Sequence, residues 1–353
     1  MKQSKTILVA PLHWGLGHAT RCIPIIHALL KSGYKVIIAS DGGALRMLQK
    51  EFPALESIEL PSYGIRYSKS GSLLKFKLLL NAPHISKTIG REKKLIEELV
   101  KSKRIHGIIS DNRLGIHSEK IPSVFLTHQL NVLSGNTSWL SSRAHRKVIR
   151  KYDECWVPDF MNEGNLSGKL GHLKKPLSSV KYIGLLSRMT SKDLPKIYDI
   201  MCLLSGPEPQ RELLEKKLIH LFSSSDKKVL LVRGVVNKEQ SRYSQGNLTI
   251  INYLTSKDLE KAINESEIII SRSGYTTIMD LAVMDKKAFF IPTPGQYEQT
   301  YLADRLNTMG IVPSCKQNEF SLDKLDKIQS YKGLGGYRSN HDLEQLFHLF
   351  QGK

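Results

Sequence analysis

Short runs of branched aliphatic residues alternate with longer amphipathic stretches along nearly the whole chain, and many runs end in a turn carrying glycine, serine or aspartate. Apolar strands spaced by helix-length segments are the pattern of βαβ units, in which helices cover a parallel sheet. Strands are expected at Thr6–Ala10, Lys35–Ala39, Gly107–Ser110, Ser123–Thr127 and Glu154–Val157. A second series is expected at Ile200–Leu204, Lys228–Val232, Leu248–Ile251, Ile268–Ile270 and Ala288–Ile291. Helices are expected at Ile23–Lys31, Glu92–Lys101, Arg211–Phe222, Ser256–Asn264 and Thr276–Val283. Two such series predict two similar α/β domains, residues 1–187 and 188–335, with the aperiodic stretch Leu185–Lys196 at their boundary. Residues 336–353 read as an amphipathic C-terminal helix that packs back on the first domain. Leu343, Leu346, Phe347 and Phe350 form its apolar face, and Ser339 or Asn340 its N-cap.

A length of 353 residues suits two domains, and 41% hydrophobic with 24% charged residues suits a folded soluble chain. No apolar run approaches the roughly 18 residues of a membrane span. The Ile7–Ala10 run is too short for a secretory signal and leads into a glycine turn, so a cytoplasmic protein is expected. Cys22, Cys155, Cys202 and Cys315 lack metal-ligand spacing, which points to reduced thiols and no metal site. The net charge of +19 directs attention to anionic partners: nucleic acid, anionic lipid or phosphorylated small molecules. No zinc-finger, RNP or interleaved aromatic pattern is present, so specific nucleic-acid binding is not expected. A basic nucleic-acid-binding module is nonetheless the alternative from another class.

Chemistry is concentrated at strand-to-helix turns. The first is His13-Trp14-Gly15-Leu16-Gly17-His18-Ala19-Thr20-Arg21. Gly15 and Gly17 allow a sharp turn and a close ligand approach, and a helix N-terminus there favours an anion. His18 is a candidate general base, with His13 competing and Asp111 as a second base or the carboxylate that orients His18. The stronger turn is Ser271-Arg272-Ser273-Gly274-Tyr275-Thr276-Thr277-Ile278-Met279-Asp280. Its amides and hydroxyls suit a diphosphate. Asp280, about 9 Å further along the helix at ~1.5 Å per residue, suits ribose hydroxyls. Asp280 shares a face with Thr276 and Thr277. Ser205-Gly206 opens the second domain in the same manner. Pro292–Gln299 places amide and carboxylate groups at another strand end, suited to sugar hydroxyls.

Together these motifs resemble the GT-B glycosyltransferases of the MurG-like peptidoglycan N-acetylglucosaminyltransferase family, with its family 28 C-terminal domain. The likeness is sharpest over residues 200–310 and extends to the loop around His18. It implies a GT-B fold of two Rossmann-like domains whose parallel sheets face an interdomain cleft. It also implies a UDP-sugar donor, a hexose or N-acetylhexosamine moved with inversion to a hydroxyl acceptor on a lipid-linked or cell-envelope glycan, and no cofactor or metal. By resemblance, Arg188, Ser205 and Gly206 contact the diphosphate, and Tyr253 and Leu254 hold uracil through backbone groups. Ser273, Gly274 and Thr277 then line the phosphates, Asp280 the ribose, and Glu298 and Gln299 the donor sugar. Gly15, Gly17 and His18 face the transferred group, with Arg21, His128 and Gln129 on the acceptor side. Where the family has Glu, this chain has Asp280; where it has a Gln pair, Glu298-Gln299; and His128 lies in a segment the family makes more acidic.

The loop around His18 and Arg21 also resembles a nucleotide-sugar hydrolase of the pseudaminic acid pathway, the rival enzyme reading. Basic and apolar residues mix within residues 69–94, among them Leu73, Phe76, Lys87, Arg91, Lys93 and Lys94. Arg143, Arg146, Lys147 and Arg150 form a second basic stripe beside Trp139. Both suit an anionic membrane surface on the inner face of the plasma membrane.

Overall fold

The computed structural model describes residues 4–64, 81–133, 135, 137–162, 164–235, 239–337 and 343–352. They form two compact units, which part in sequence between Ser187 and Arg188; residues 343–352 belong to the first. Leu73, Phe76 and the rest of the 69–80 stretch, with the caps Ser339 and Asn340, lie outside the described residues.

The first unit runs β1 (Thr6–Pro11), α1 (Gly17–Lys31), β2 (Lys35–Ser40), α2 (Gly42–Glu51), β3 (Glu56–Glu59) and α3 (Ala82–Lys101). It continues with β4 (Gly107–Asp111), β5 (Ser123–Leu126), α4 (Ser138–Ile149), β6 (Glu154–Val157) and β7 (Val180–Tyr182). The strands form a seven-stranded sheet in the order β3-β2-β1-β4-β5-β6-β7, parallel throughout. Every residue of β4 is buried, as a strand covered on both faces requires. Two short edge strands, β3 and β7, were not expected from sequence. Neither has an apolar run, and both owe their extended shape to pairing.

The second unit holds β8 (Tyr198–Leu203), α5 (Gln210–Phe222), β9 (Val229–Val232), β10 (Arg242–Gln245) and β11 (Leu248–Ile251). After these come α6 (Ser256–Asn264), β12 (Ser266–Ser271), α7 (Tyr275–Val283), β13 (Lys287–Phe290) and α8 (Tyr297–Thr308). Its six-stranded sheet has the order β10-β11-β9-β8-β12-β13. Only β10 is antiparallel among these, and its Arg-Tyr-Ser-Gln sequence is exposed throughout, so hydrophobic patterning gave no sign of it. One side of the sheet packs Leu214, Leu218 and Phe222 of α5 against Ile200, Val229 and Ile270.

The chain's last described turns return to the first unit. There α9 (Leu343–Leu346) runs into a tight turn, Phe347–Phe350. Phe347 and Phe350 are buried beside Trp156 and Tyr34, a burial worth about 1.5–3 kcal/mol per ring. Lys5 Nζ and Tyr34 Oη donate to the carbonyls of Phe350 and Phe347 at 2.8 and 3.2 Å. Gly107 makes room for this contact, since a Cβ there would stand 2.5 Å from the Phe350 ring.

Candidate active site

In a doubly wound sheet, ligands bind beyond the carboxyl ends of the strands where the order reverses. In the first unit that point lies between β1 and β4, whose ends pair Pro11 with Asp111. The loop after β1 turns at Gly15 (φ 83°), a left-handed conformation that glycine adopts without strain, and enters α1 at Gly17. One helical turn brings His18 and Arg21 onto the same side of α1, and both reach Asp111. Asp111 Oδ1 lies 2.8 Å from His18 Nδ1, and Arg21 Nε donates to Oδ2 at 2.6 Å. Arg21 Nη2 donates to Oδ1 as well. Arg21 Nη1 donates to His128 Nδ1 at 2.8 Å, which puts the His128 proton on Nε2.

This cluster is nearly dry: Asp111 is fully buried, Arg21 is 1% exposed and the His18 side chain 15%. Burial pushes the Asp111 carboxyl up, but Arg21 and His18 outweigh it and hold the group at about 2. Burial pushes the His18 imidazole down. Asp111 draws it back and Arg21 opposes, and the net lies below the ordinary histidine value. Such a carboxylate is a poor proton acceptor at neutral pH. Two groups meet His18 Nδ1, the Asp111 carboxylate at 2.8 Å and the Arg21 Nη2 donor at 2.9 Å; the carboxylate, an acceptor only, selects the tautomer with the proton on Nδ1 and the lone pair on Nε2. The two candidate bases thus lie in one cluster, His18 meeting Asp111 through Nδ1 and Asp111 also accepting from Arg21. His13, the third candidate, is engaged elsewhere: Nε2 accepts from the Gly43 amide at 3.2 Å and Nδ1 lies 3.4 Å from Asp41, so it ties the loop to α2.

Sequence reasoning missed the group that fixes this loop. Arg113, fully buried, donates to Asp41 through Nη2, to Glu92 Oε1 through Nη1 (2.7 Å) and to the Pro11 carbonyl through Nε (3.2 Å). Tyr63 Oη and the Gly115 amide complete Glu92 at 2.7 and 3.0 Å. Asn112, at φ 59°, links Asp111 to this anchor. The available signal was Asp41, a carboxylate directly after an apolar strand at the same sheet edge. Gln129, half-buried next to His128, donates its amide to Thr127 Oγ1 at 3.0 Å.

In the second unit the order reverses between β8 and β12, and the turns Leu204–Gly206 and Arg272–Gly274 lie there together. Gly206 (φ 104°) and Ser205 are exposed, and a Cβ on Gly274 would meet nothing nearer than Thr277 Oγ1 at 4.0 Å. No side chain caps α7 and its first turn has no acid, so its positive end faces that turn. The tip of α5 differs: Glu208 accepts from the Glu212 amide at 3.1 Å and brings its own negative charge. Thr276, Thr277 and Asp280 lie on the half-buried side of α7, while Ile278, Met279, Leu281 and Ala282 are in the core.

Several residues read as ligand contacts have other partners. The Ser273 hydroxyl is fully buried and donates to the Gln299 carbonyl at 2.8 Å, so it locks two loops together. Gln299 Oε1 accepts from the Thr293 amide at 2.8 Å, and the residue is buried. Tyr253 donates its amide to Asn252 Oδ1 and receives Gln240 at its carbonyl, so the adjacent Leu254 keeps the unpartnered backbone pair among the described residues. Arg188 Nη1 donates to Ser256 Oγ at 2.9 Å, beside the start of α6. Glu298 is half-buried in the first turn of α8. Sequence patterning passed over Arg272, whose guanidinium is buried and donates to the carbonyls of Ile291, Pro292 and Gln210 and to Gln317 Oε1. It holds the loops after β12 and β13 and the start of α5 in one frame.

Residues 207–330 match the glycosyltransferase family 28 C-terminal domain. Among similar proteins is the UDP-N-acetylglucosamine--N-acetylmuramyl-(pentapeptide) pyrophosphoryl-undecaprenol N-acetylglucosamine transferase of Cupriavidus pinatubonensis, 23% identical over 93% of this chain and 89% of its own. The transferase of the same name from Buchnera aphidicola is 32% identical over 61% of this chain and 58% of its own. Among solved structures, MurG of Acinetobacter baumannii superposes with a TM-score of 0.56 at 15% identity, covering 99% of this chain and all (100%) of that one. A UDP-glucosyltransferase from Polygonum tinctorium gives 0.63 at 13% identity, with 99% of each chain covered. At such identities the structures establish the fold. The chain is a MurG-like glycosyltransferase of the GT-B fold, with a family 28 C-terminal domain.

Proposed function

We propose that the protein moves a hexose or N-acetylhexosamine from a UDP-sugar to a hydroxyl on a lipid-linked or cell-envelope acceptor, with inversion. The observation that carries this reading is the nearly dry His18–Asp111–Arg21 cluster at the β1/β4 switch point. The acceptor hydroxyl gives its proton to His18 Nε2 while its oxygen attacks the anomeric carbon opposite the diphosphate. The bond from that carbon to the phosphoryl oxygen breaks, its electron pair leaves with UDP, and one displacement inverts the centre. The growing charge on the leaving group is met by the Gly206 and Gly274 turns and the α7 tip, with no divalent ion required. Leu254 holds the base through its backbone and Asp280 the ribose. Glu298 and Gln299 Nε2 bind the sugar, and Arg21, His128 and Gln129 border the acceptor. A thermal-shift panel of nucleoside diphosphates tests the donor. Uridine compounds are expected to stabilise the protein and adenine or guanine ones not, and Asp280→Ala to weaken UDP binding by about tenfold. Equal shifts across all bases would remove uridine selectivity. Consumption of the donor without any acceptor, at the full transfer rate, would instead show a hydrolase.

The acceptor's membrane setting has its own support in α4. Trp139 and Leu140 are 69% and 54% exposed, Arg143 and Lys147 are exposed along the same helix, and Arg150 is exposed at its C-cap. Arg146 departs from the expected stripe by turning inward to Asn131 Oδ1 at 2.8 Å. No helix among the described residues is long and apolar enough to cross a membrane, and on this reading the protein works from the inner face of the plasma membrane. Aromatic and basic groups side by side suit an anionic surface, at about 1 kcal/mol per cation. Reversing Arg143 and Lys147 to Glu is expected to cut binding to phosphatidylserine-containing vesicles at least tenfold in co-sedimentation, by roughly that energy per charge. Equal binding of the protein to uncharged phosphatidylcholine vesicles would defeat this docking assignment.

A further inference from the structure

Two buried polar atoms with no hydrogen-bond partner among the described residues belong to the turns that follow β12 and β13: Arg272 Nε and Thr293 Oγ1. Thr293 is 2% exposed. Its amide donates to Gln299 Oε1, its carbonyl accepts from the Gln296 amide, and only the hydroxyl is left over. Arg272 Nη1 donates to the carbonyls of Ile291 and Pro292, directly before Thr293, and no carboxylate pairs with Arg272 among the described residues. Above the hydroxyl lies Gly206: a Cβ there would stand 3.6 Å from Thr293 Oγ1 and meet nothing else within 4 Å.

We propose that Thr293 Oγ1 binds the sugar-bearing phosphate of the donor nucleotide, with Arg272 supplying uncompensated positive charge from behind the turn. The assignment rests on the nucleotide-sugar reading above. A buried donor without an acceptor costs stability in the free protein, and a phosphoryl oxygen supplies the acceptor through a charge-assisted bond. An unpaired guanidinium in low dielectric favours an anion more strongly than one in water. Thr293 also sits between Gly206, on the phosphate side, and Gln299, on the sugar side, which matches the phosphate that joins them. Entry requires the exposed Ser205–Gly206 turn to shift. Both residues of that turn are exposed, and a Cβ on Gly206 would have only Thr293 Oγ1 within 4 Å.

Thr293→Val keeps the volume and removes the donor, and Thr293→Ser restores it. Calorimetric titration with UMP and UDP, plus the melting temperature without ligand, tests the assignment on the intact protein. The valine variant is expected to bind UDP about tenfold more weakly or worse and UMP as wild type does, because UMP lacks the second phosphate. Without ligand it is expected to melt roughly 2 °C higher, since no buried hydroxyl is left unpaired. The serine variant should recover UDP binding. Unchanged UDP affinity in the valine variant, or a lower melting temperature without ligand, overturns the Thr293 assignment alone. So does a loss seen with UDP-sugar but not with UDP, which would place the hydroxyl on the sugar. Wild-type protein that binds neither nucleotide overturns the donor reading and this assignment with it.

Discussion

His18→Ala is expected to lower turnover by roughly 10²–10⁴-fold, the contribution of a positioned general base, while UDP affinity stays within about twofold. The split follows from placement. His18 belongs to the α1 end of the first unit, whereas the turns assigned to the nucleotide belong to the second. The wild-type rate should also carry a pH signature. A base must be unprotonated to act, so activity falls as the medium acidifies through the His18 pKa. That pKa lies below the ordinary 6.5, because burial disfavours the imidazolium. The acid limb of kcat/KM is therefore expected below pH 6.5 and should vanish in the alanine variant's residual rate. Steady-state transfer assays across pH, with donor affinity measured separately, check both parts. A full transfer rate in His18→Ala would move the base elsewhere.

Arg113→Met should produce the largest loss of stability, about 3–5 kcal/mol, by leaving the carboxylates of Asp41 and Glu92 without their shared cation. Both pairs lie almost wholly out of water, so solvent cannot replace the guanidinium. By contrast, the pair Arg104–Glu56 is about half exposed at both ends, 50% and 51%, and Arg104→Ala should cost about 0–1 kcal/mol. Urea unfolding of the two variants beside wild type measures the contrast. Similar small losses in both would mean that the buried carboxylates find other partners. Acid should unfold the first unit through a related group. The folded Asp111 pKa is depressed to about 2, so its stabilisation is full above the unfolded value near 4 and disappears as pH falls from about 4 to about 2.

Loss of Arg113 should reach the site as well. Arg113 grips the Pro11 carbonyl at the end of β1 and follows Asp111 by two residues, and Asp41 extends the same network to His13 in the loop that leads to His18. The scaffold that positions the His18–Asp111 pair is thus electrostatic on one side and the packed sheet on the other.

Pattern within the chain determined the layers. Runs such as Ile7–Ala10 and Ile268–Ile270 are short, apolar on both faces and closed by glycine turns, the pattern of strands in a covered sheet. The spacing of His18 and Arg21 likewise set them on one side of α1, because a helix repeats every ~3.6 residues. Which partner each polar group takes was beyond that local code. Arg21 and Asp111 stand 90 residues apart, and Arg113 and Asp41 stand 72 apart. Only the crossover order of the sheet brings them together. Ser273 and Ser205 look alike in sequence, yet one hydroxyl is closed inside a loop-to-loop bond and the other is exposed. Periodicity follows from the geometry of single helices and strands, whereas burial and hydrogen-bond choice depend on which distant segments the folded sheet sets side by side.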